Sequence, residues 1–218
     1  MKKIEFVIFD MDGLLFDTER MGFNSLKKSM EYYNYSITMN IYKRLIGAGY
    51  KEDERILKDI YGGDFDFKSV SKLSQQIFED ILKTKSIQVM PGVRELLDDL
   101  DSRNIKKCIA SSSSLDKISR YLKITNLHHR FDFYLSGDEV EKGKPHPDIF
   151  IEACRRGNVK TSKALIIEDS LNGLRAAKGA SIKCVIIPDL IDVNNEIKKN
   201  AFHVTGNLAN LVNLIGSV

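Results

Sequence analysis

Asp10 and Asp12 stand two residues apart where the apolar run Phe6-Val7-Ile8-Phe9 ends, and Gly13 follows them. Two carboxylates on so pliable a backbone can share a hard divalent cation, or divide into a nucleophile and an acid whose pKa values are pushed apart. A solvated acidic turn has the same local sequence. Further reactive types recur behind similar runs: Ser111 and Ser112 after Cys108-Ile109-Ala110, Glu168-Asp169 after Ala164-Leu165-Ile166-Ile167, and Lys144-Pro145 before a helix start. Carboxylates, a hydroxyl and an ammonium together make a site for Mg²⁺ and a phosphoryl group, with the carboxylates on the metal and Ser111, Ser112 and Lys144 on the phosphoryl oxygens.

These residues converge only if the runs that carry them are parallel strands, whose carboxyl ends share one edge of a sheet. The pattern after Met90 supports that. Helical spacing in Val93, Leu96, Leu97 and Leu100 precedes the strand Cys108–Ala110. A helix around Ile118 and Leu122 precedes the strand Phe133–Leu135, and Pro147 is expected as the first residue of a helix carrying Ile149, Phe150 and Ala153. The strand Ala164–Ile167, a helix through Leu171, Leu174, Ala177 and Ala180, the strand Val185–Ile187 and a closing helix through Leu208, Leu211, Leu214 and Ile215 complete the alternation. Such repetition predicts an α/β fold, a Rossmann-like parallel sheet flanked by helices.

From Glu19 to about Thr84 strand-like runs disappear. Met21, Leu26 and Met30 fit one helix, Ile41, Leu45 and Ile46 a second, Ile56, Leu57 and Ile60 a third, and Leu73, Ile77, Phe78, Ile81 and Leu82 a fourth. We expect a core domain over residues 1–16 and 88–218 and an inserted α-helical cap domain over residues 17–87, with linkers near Phe16–Thr18 and Lys85–Met90. A net charge of +3 with interspersed signs leaves no basic stripe for nucleic acid. No run reaches the length of a membrane span or a signal-peptide core, so a cytoplasmic protein with no membrane partner is expected. Cys108, Cys154 and Cys184 are odd in number and widely separated, which fits buried free thiols, and the four histidines show no ligand spacing.

Asp10-Met11-Asp12-Gly13, Ser111 after a strand, Lys144-Pro145 and Glu168-Asp169 resemble the four motifs of the haloacid dehalogenase superfamily. Phe16-Asp17-Thr18-Glu19 and Glu168-Asp169-Ser170-x-x-Gly173 are similar to its β-phosphoglucomutase-like phosphatase branch with a helical cap. The resemblance spans nearly the whole chain. It implies that Asp10 is a nucleophile forming an aspartyl-phosphate and that Asp12 protonates the leaving oxygen and then activates water. It further implies that Asp10, the backbone carbonyl of Asp12 and Asp169 bind Mg²⁺ with Glu168 nearby. The expected activity is Mg²⁺-dependent hydrolysis of a small phosphate monoester such as a sugar phosphate, by a monomer.

Two alternatives stand beside it. In a β-phosphoglucomutase-type enzyme the phosphoryl group returns to the sugar. The histidine that the mutases carry after Asp-Thr-x-Glu falls near Gly22 here, and no histidine lies in the cap. A non-catalytic phosphate-binding regulator would have no need of so many costly polar groups at one cleft. Substrate selection is expected in the cap residues Met21, Gly22, Gly47, Tyr50 and Lys51. Of these, Lys51 matches a position that grips a second phosphate in the mutase.

Overall fold

The computed structural model describes residues 3–84 and 87–216. Its strands are β1 (Phe6–Phe9), β2 (Lys106–Ser111), β3 (Phe133–Ser136), β4 (Ala164–Glu168), β5 (Lys183–Ile186) and β6 (His203–Val204). They form one parallel sheet in the order β3-β2-β1-β4-β5-β6. All four residues of β1 are buried. Successive side chains enter opposite cores: Val7 and Phe9 join the cluster containing Leu96, Ile118 and Leu211, whereas Phe6 and Ile8 join that containing Phe150, Leu174 and Ile197. A strand with two buried faces has no room for alternating polar residues, which is why it reads as a continuous apolar run.

The helices of the first face are α5 (Val93–Ser102), α6 (Leu115–Ile124) and α10 (Leu211–Gly216). Those of the second are α7 (Asp148–Gly157), α8 (Leu171–Gly179) and α9 (Asn195–Asn200). Between β1 and α5 run α1 (Glu19–Tyr32), α2 (Met39–Tyr42), α3 (Tyr50–Tyr61) and α4 (Phe67–Thr84). These four helices have an apolar core of their own, built on Leu26, Met30, Ile56, Leu57, Phe65, Phe67 and Val70. Ser29 ties α1 to α4 by donating to the Val70 carbonyl at 2.7 Å. At the neck, Asp17 N donates to the Gln88 carbonyl and Met90 N to that of Leu15, so the two crossing strands of chain brace each other. Lys85 and Ser86 of the expected second linker lie outside the described residues.

Several expectations shift in detail. The expected second helix shrinks to Met39–Tyr42, and Leu45 and Ile46 lie in the turns that follow, because the chain must bend sharply at Gly47 and Gly49, both at positive φ. Pro147 sits one residue ahead of α7 and not inside it. Ser111 and Glu168 are the last residues of their strands, not the first beyond them. β5 begins at Lys183. The sequence reading overlooked α9 and β6, which are too short and too polar to show a period.

Candidate active site

In this strand order β1 is central and the chain departs from it in both directions, so the sheet's topological switch lies at its carboxyl end. Asp10 is the next residue. Its amide donates to the Ile167 carbonyl at 3.0 Å, which continues the β1–β4 ladder one step and fixes where the carboxylate points. Asp10, Glu168 and Asp169 are all buried, and a carboxylate oxygen from each lies within 4.8 Å of the others.

Lys144 pairs with two members of this cluster. Its ammonium donates to Asp10 Oδ1 and Glu168 Oε1 at 2.5 Å each and to the Ala110 carbonyl at 3.1 Å, so all of its hydrogens face protein acceptors. In this arrangement Lys144 neutralises the two acids. Its pKa is held above the ordinary value: burial opposes the charge, but Asp10 and Glu168 outweigh burial. Glu168 is further pinned through Oε2, which accepts from the amides of Asp169 and Ser170 and from Ser170 Oγ. Ser170 in turn caps α8 by accepting from the Gly173 amide. A methyl group at Gly173 would lie 1.9 Å from the Glu168 carboxyl carbon, which explains the glycine in Glu-Asp-Ser-x-x-Gly.

The donor set fits a hard divalent cation. Asp169 Oδ2 is buried without a hydrogen-bond partner among the described residues, and a methyl group at Gly13 would approach it to 2.3 Å. Without a cation these acids oppose one another. Burial first, then the charges of Asp10 and Glu168, push Asp169 well above the carboxylate range. Asp10 is raised to about 7 by burial and by Glu168, against the pull of Lys144. Such a cluster of hard oxygen donors suits Mg²⁺ or a similar ion.

Asp12 is held differently. Oδ1 accepts from Thr18 Oγ1 at 2.7 Å, and Oδ2 from Ser113 Oγ at 2.7 Å and Lys117 Nζ at 3.0 Å. Burial raises its pKa, but Lys117 and the two hydroxyls more than offset burial, and Asp12 rests below the ordinary value. Its carboxylate is not part of the three-acid cluster.

A cavity of about 620 Å³ opens above these residues, between the sheet edge and the helical insertion. Asp10, Asp12, Ser111 and Ser112 line it from the sheet side, and Gly22, Gly47 and Tyr50 from the helical side. Ser111 is buried and its Oγ accepts from the Ser113 amide, while Ser112 Oγ donates to the Gly47 carbonyl at 3.3 Å. Lys51 is exposed and does not line the cavity, and neither does Met21. The helical phase of α3 turns Lys51 outward and brings Asp53 inward. Sequence reasoning missed Ser113, Lys117, Tyr42 and Asp53. Ser113 lay within the serine run and Thr18 within a quoted motif, but nothing local distinguishes Lys117 from any other lysine on a helix.

The family described as haloacid dehalogenase-like hydrolase matches residues 7–187. A phosphorylated carbohydrates phosphatase of Thermotoga maritima is 35% identical over 184 residues, covering 83% of each chain. A (DL)-glycerol-3-phosphatase of Arabidopsis thaliana is 31% identical over 205 residues, covering 88% of this chain and 83% of that one. Among solved structures, a hydrolase from Pseudomonas syringae superposes with a TM-score of 0.86 at 26% identity, covering 98% of this chain and 99% of the other. With the motif residues gathered at one sheet edge and these similarities over most of its length, the chain belongs to the haloacid dehalogenase-like hydrolase family, as a phosphoric monoester hydrolase.

Proposed function

We propose that this protein is a Mg²⁺-dependent phosphatase that hydrolyses a small phosphorylated sugar or polyol through an aspartyl-phosphate on Asp10. The observation that carries the reading is the division of labour between the two aspartates. Asp10 sits in the metal-ready cluster beside Lys144, and Asp12 is turned away into a separate set of donors. In this reading an Asp10 oxygen attacks phosphorus, the bond to the leaving oxygen breaks, and the leaving oxygen takes a proton from Asp12. Water, deprotonated by Asp12, then attacks the acyl phosphate and frees Asp10 and phosphate.

The resting ionised state of Asp12 is the one a base needs. For the acid role, a phosphate dianion arriving beside Asp12 adds negative charge and lifts its pKa. Lys144, itself paired with Glu168, holds Asp10 in place. A divalent cation held by Asp10, Asp169 and the Asp12 carbonyl, with Glu168 nearby, would offset the repulsion between the Asp10 carboxylate and the dianion. Ser111, whose Oγ only accepts from the Ser113 amide, has its hydroxyl hydrogen to give to a phosphoryl oxygen, with Ser112 beside it on the cavity wall. Neutral Gly22 on the cavity wall and the lack of a cap histidine favour water over a sugar hydroxyl as the final acceptor. A soluble monomer acting on a cytoplasmic metabolite accords with this chemistry, and no helix among the described residues is long and apolar enough to cross a membrane.

The test is phosphate release from a panel of sugar and polyol monophosphates with Mg²⁺. Asp10→Asn is expected to lower turnover by more than about a thousandfold with an unchanged melting temperature, and chelation to abolish wild-type turnover. Hydrolysis by Asp10→Asn at the wild-type rate overturns the nucleophile. Conversion of β-glucose 1-phosphate to glucose 6-phosphate without matching phosphate release makes the protein a mutase instead.

A further inference from the structure

The helical side of the cavity carries polar groups that phosphoryl chemistry does not use. Tyr42 Oη donates to Glu19 Oε2 at 2.9 Å, with both residues buried and both on the cavity wall. The phenol's one hydrogen is thereby committed, and its lone pairs remain to accept. Gly22 makes this placement possible, because a methyl group there would lie 2.4 Å from Tyr42 Oη. Next along the wall, Asp53 Oδ1 is covered from solvent and has no hydrogen-bond partner among the described residues. A carboxyl left in that state is costly to the folded protein unless something else meets it.

The cavity's cations, in contrast, are engaged. Lys117 is paired with Asp12 at 3.0 Å, and Arg120 is paired with Glu79. Lys51 stands outside. The remaining wall is neutral and polar at Ser71, Ser74 and Gln75, acidic at Asp116, or apolar.

We propose that Tyr42 and Asp53 form a leaving-group subsite that reads the hydroxyls of a polyhydroxylated phosphate monoester and offers no place to a second phosphate. The proposal rests on the phosphatase reading above and specifies which half of the substrate the helical insertion recognises. Burial, reinforced by Glu19 and Glu52, lifts the Asp53 carboxyl to about 8, so at neutral pH it can both donate and accept, as a sugar hydroxyl can. Glu19 acts as a positioning residue by fixing the Tyr42 hydroxyl.

The experiment compares kcat/KM of the full chain with Mg²⁺ for glucose 6-phosphate, glucosamine 6-phosphate, fructose 1,6-bisphosphate and 4-nitrophenyl phosphate, in the wild type, Asp53→Leu and Tyr42→Phe. The ratio of glucose 6-phosphate to 4-nitrophenyl phosphate is expected to fall at least about tenfold in each variant, the scale of a lost hydrogen bond to a buried polar group. A ratio that stays within about twofold of wild type in both variants overturns the subsite. So does wild-type turnover of the bisphosphate as efficient as that of glucose 6-phosphate, and so does a preference for the ammonium of glucosamine 6-phosphate over the hydroxyl. Failure to release phosphate from any ester, the aryl phosphate included, falls on the phosphatase reading and not on the subsite. A binding readout then decides the subsite alone: the rise in melting temperature with glucose 6-phosphate should shrink in Asp53→Leu, and an equal rise in both proteins overturns it.

Discussion

Lys144 is the residue on which the charge balance of the site turns. Its side chain is fully buried, and it is bonded to two acids that are themselves buried. Removing one partner of such a group leaves uncompensated charge in a medium that solvates charge poorly, typically at a cost of about 3–5 kcal/mol. Lys144→Met is therefore expected to lower the unfolding free energy of chelator-treated protein by that amount, measured by urea denaturation at neutral pH. A loss under about 1 kcal/mol, the scale of an exposed pair, would mean that Asp10 and Glu168 do not depend on this ammonium. The sequence marks Lys144 as a reactive type before a proline. That its hydrogens all point to protein acceptors is visible only in three dimensions.

At the scale of elements, the loop between α2 and α3 is the piece that brings the helical insertion onto the sheet edge. Gly47 accepts through its carbonyl from Ser112 Oγ, Asn172 Nδ2 donates to the Ile46 carbonyl, and a methyl group at Gly47 would lie 2.4 Å from Ser170 Oγ. Its φ of +74° adds a backbone conformation that side chains disfavour. Gly47→Ala is thus expected to displace the loop from Ser112 and Ser170 without touching the core of either helical cluster. It should cost at least about tenfold in kcat/KM, read mainly in KM, and about 1–2 kcal/mol in stability. Unchanged KM would show that the loop's seat on Ser112 and Ser170 is not part of substrate binding. The sequence identified Gly47 as a residue facing the site but not the contact that makes it glycine, since Ser170 is far away along the chain.

For the whole molecule, two cores sandwich the sheet and a third fills the helical insertion, and the cavity lies between the carboxyl edge of the sheet and that insertion. Burial at that junction has a stability cost that depends on pH. Asp53 is raised from an ordinary 3.8 to about 8, chiefly by burial. Between those values the folded state keeps a proton that the unfolded chain has lost, so stability is greatest below the unfolded value and falls as pH rises through the window. Glu19, raised to about 7 by burial and by Asp12, acts in the same direction. The urea midpoint of metal-free protein should fall between about pH 5 and pH 8, and Asp53→Asn should flatten that decline, by at most about 1.4 kcal/mol per pH unit. Parallel profiles for the two proteins would mean that Asp53 titrates normally.

The sequence by itself determined the sheet, the helical insertion and the reactive residues at strand ends, because apolar runs buried on both faces and helical spacing are local signals carried by side-chain types. Asp10, Asp12, Ser111 and Asp169 follow from that, since parallel strands oblige their carboxyl ends to share an edge. Tertiary structure alone decided the rest: that Lys144 serves the acids, that Lys117 holds Asp12, that Lys51 faces solvent while Asp53 faces the cavity, and that Tyr42 fills the space left by Gly22. Each of these depends on the packing of segments distant in sequence or on the rotation of a helix about its axis, and neither is encoded in the spacing of residues within one segment.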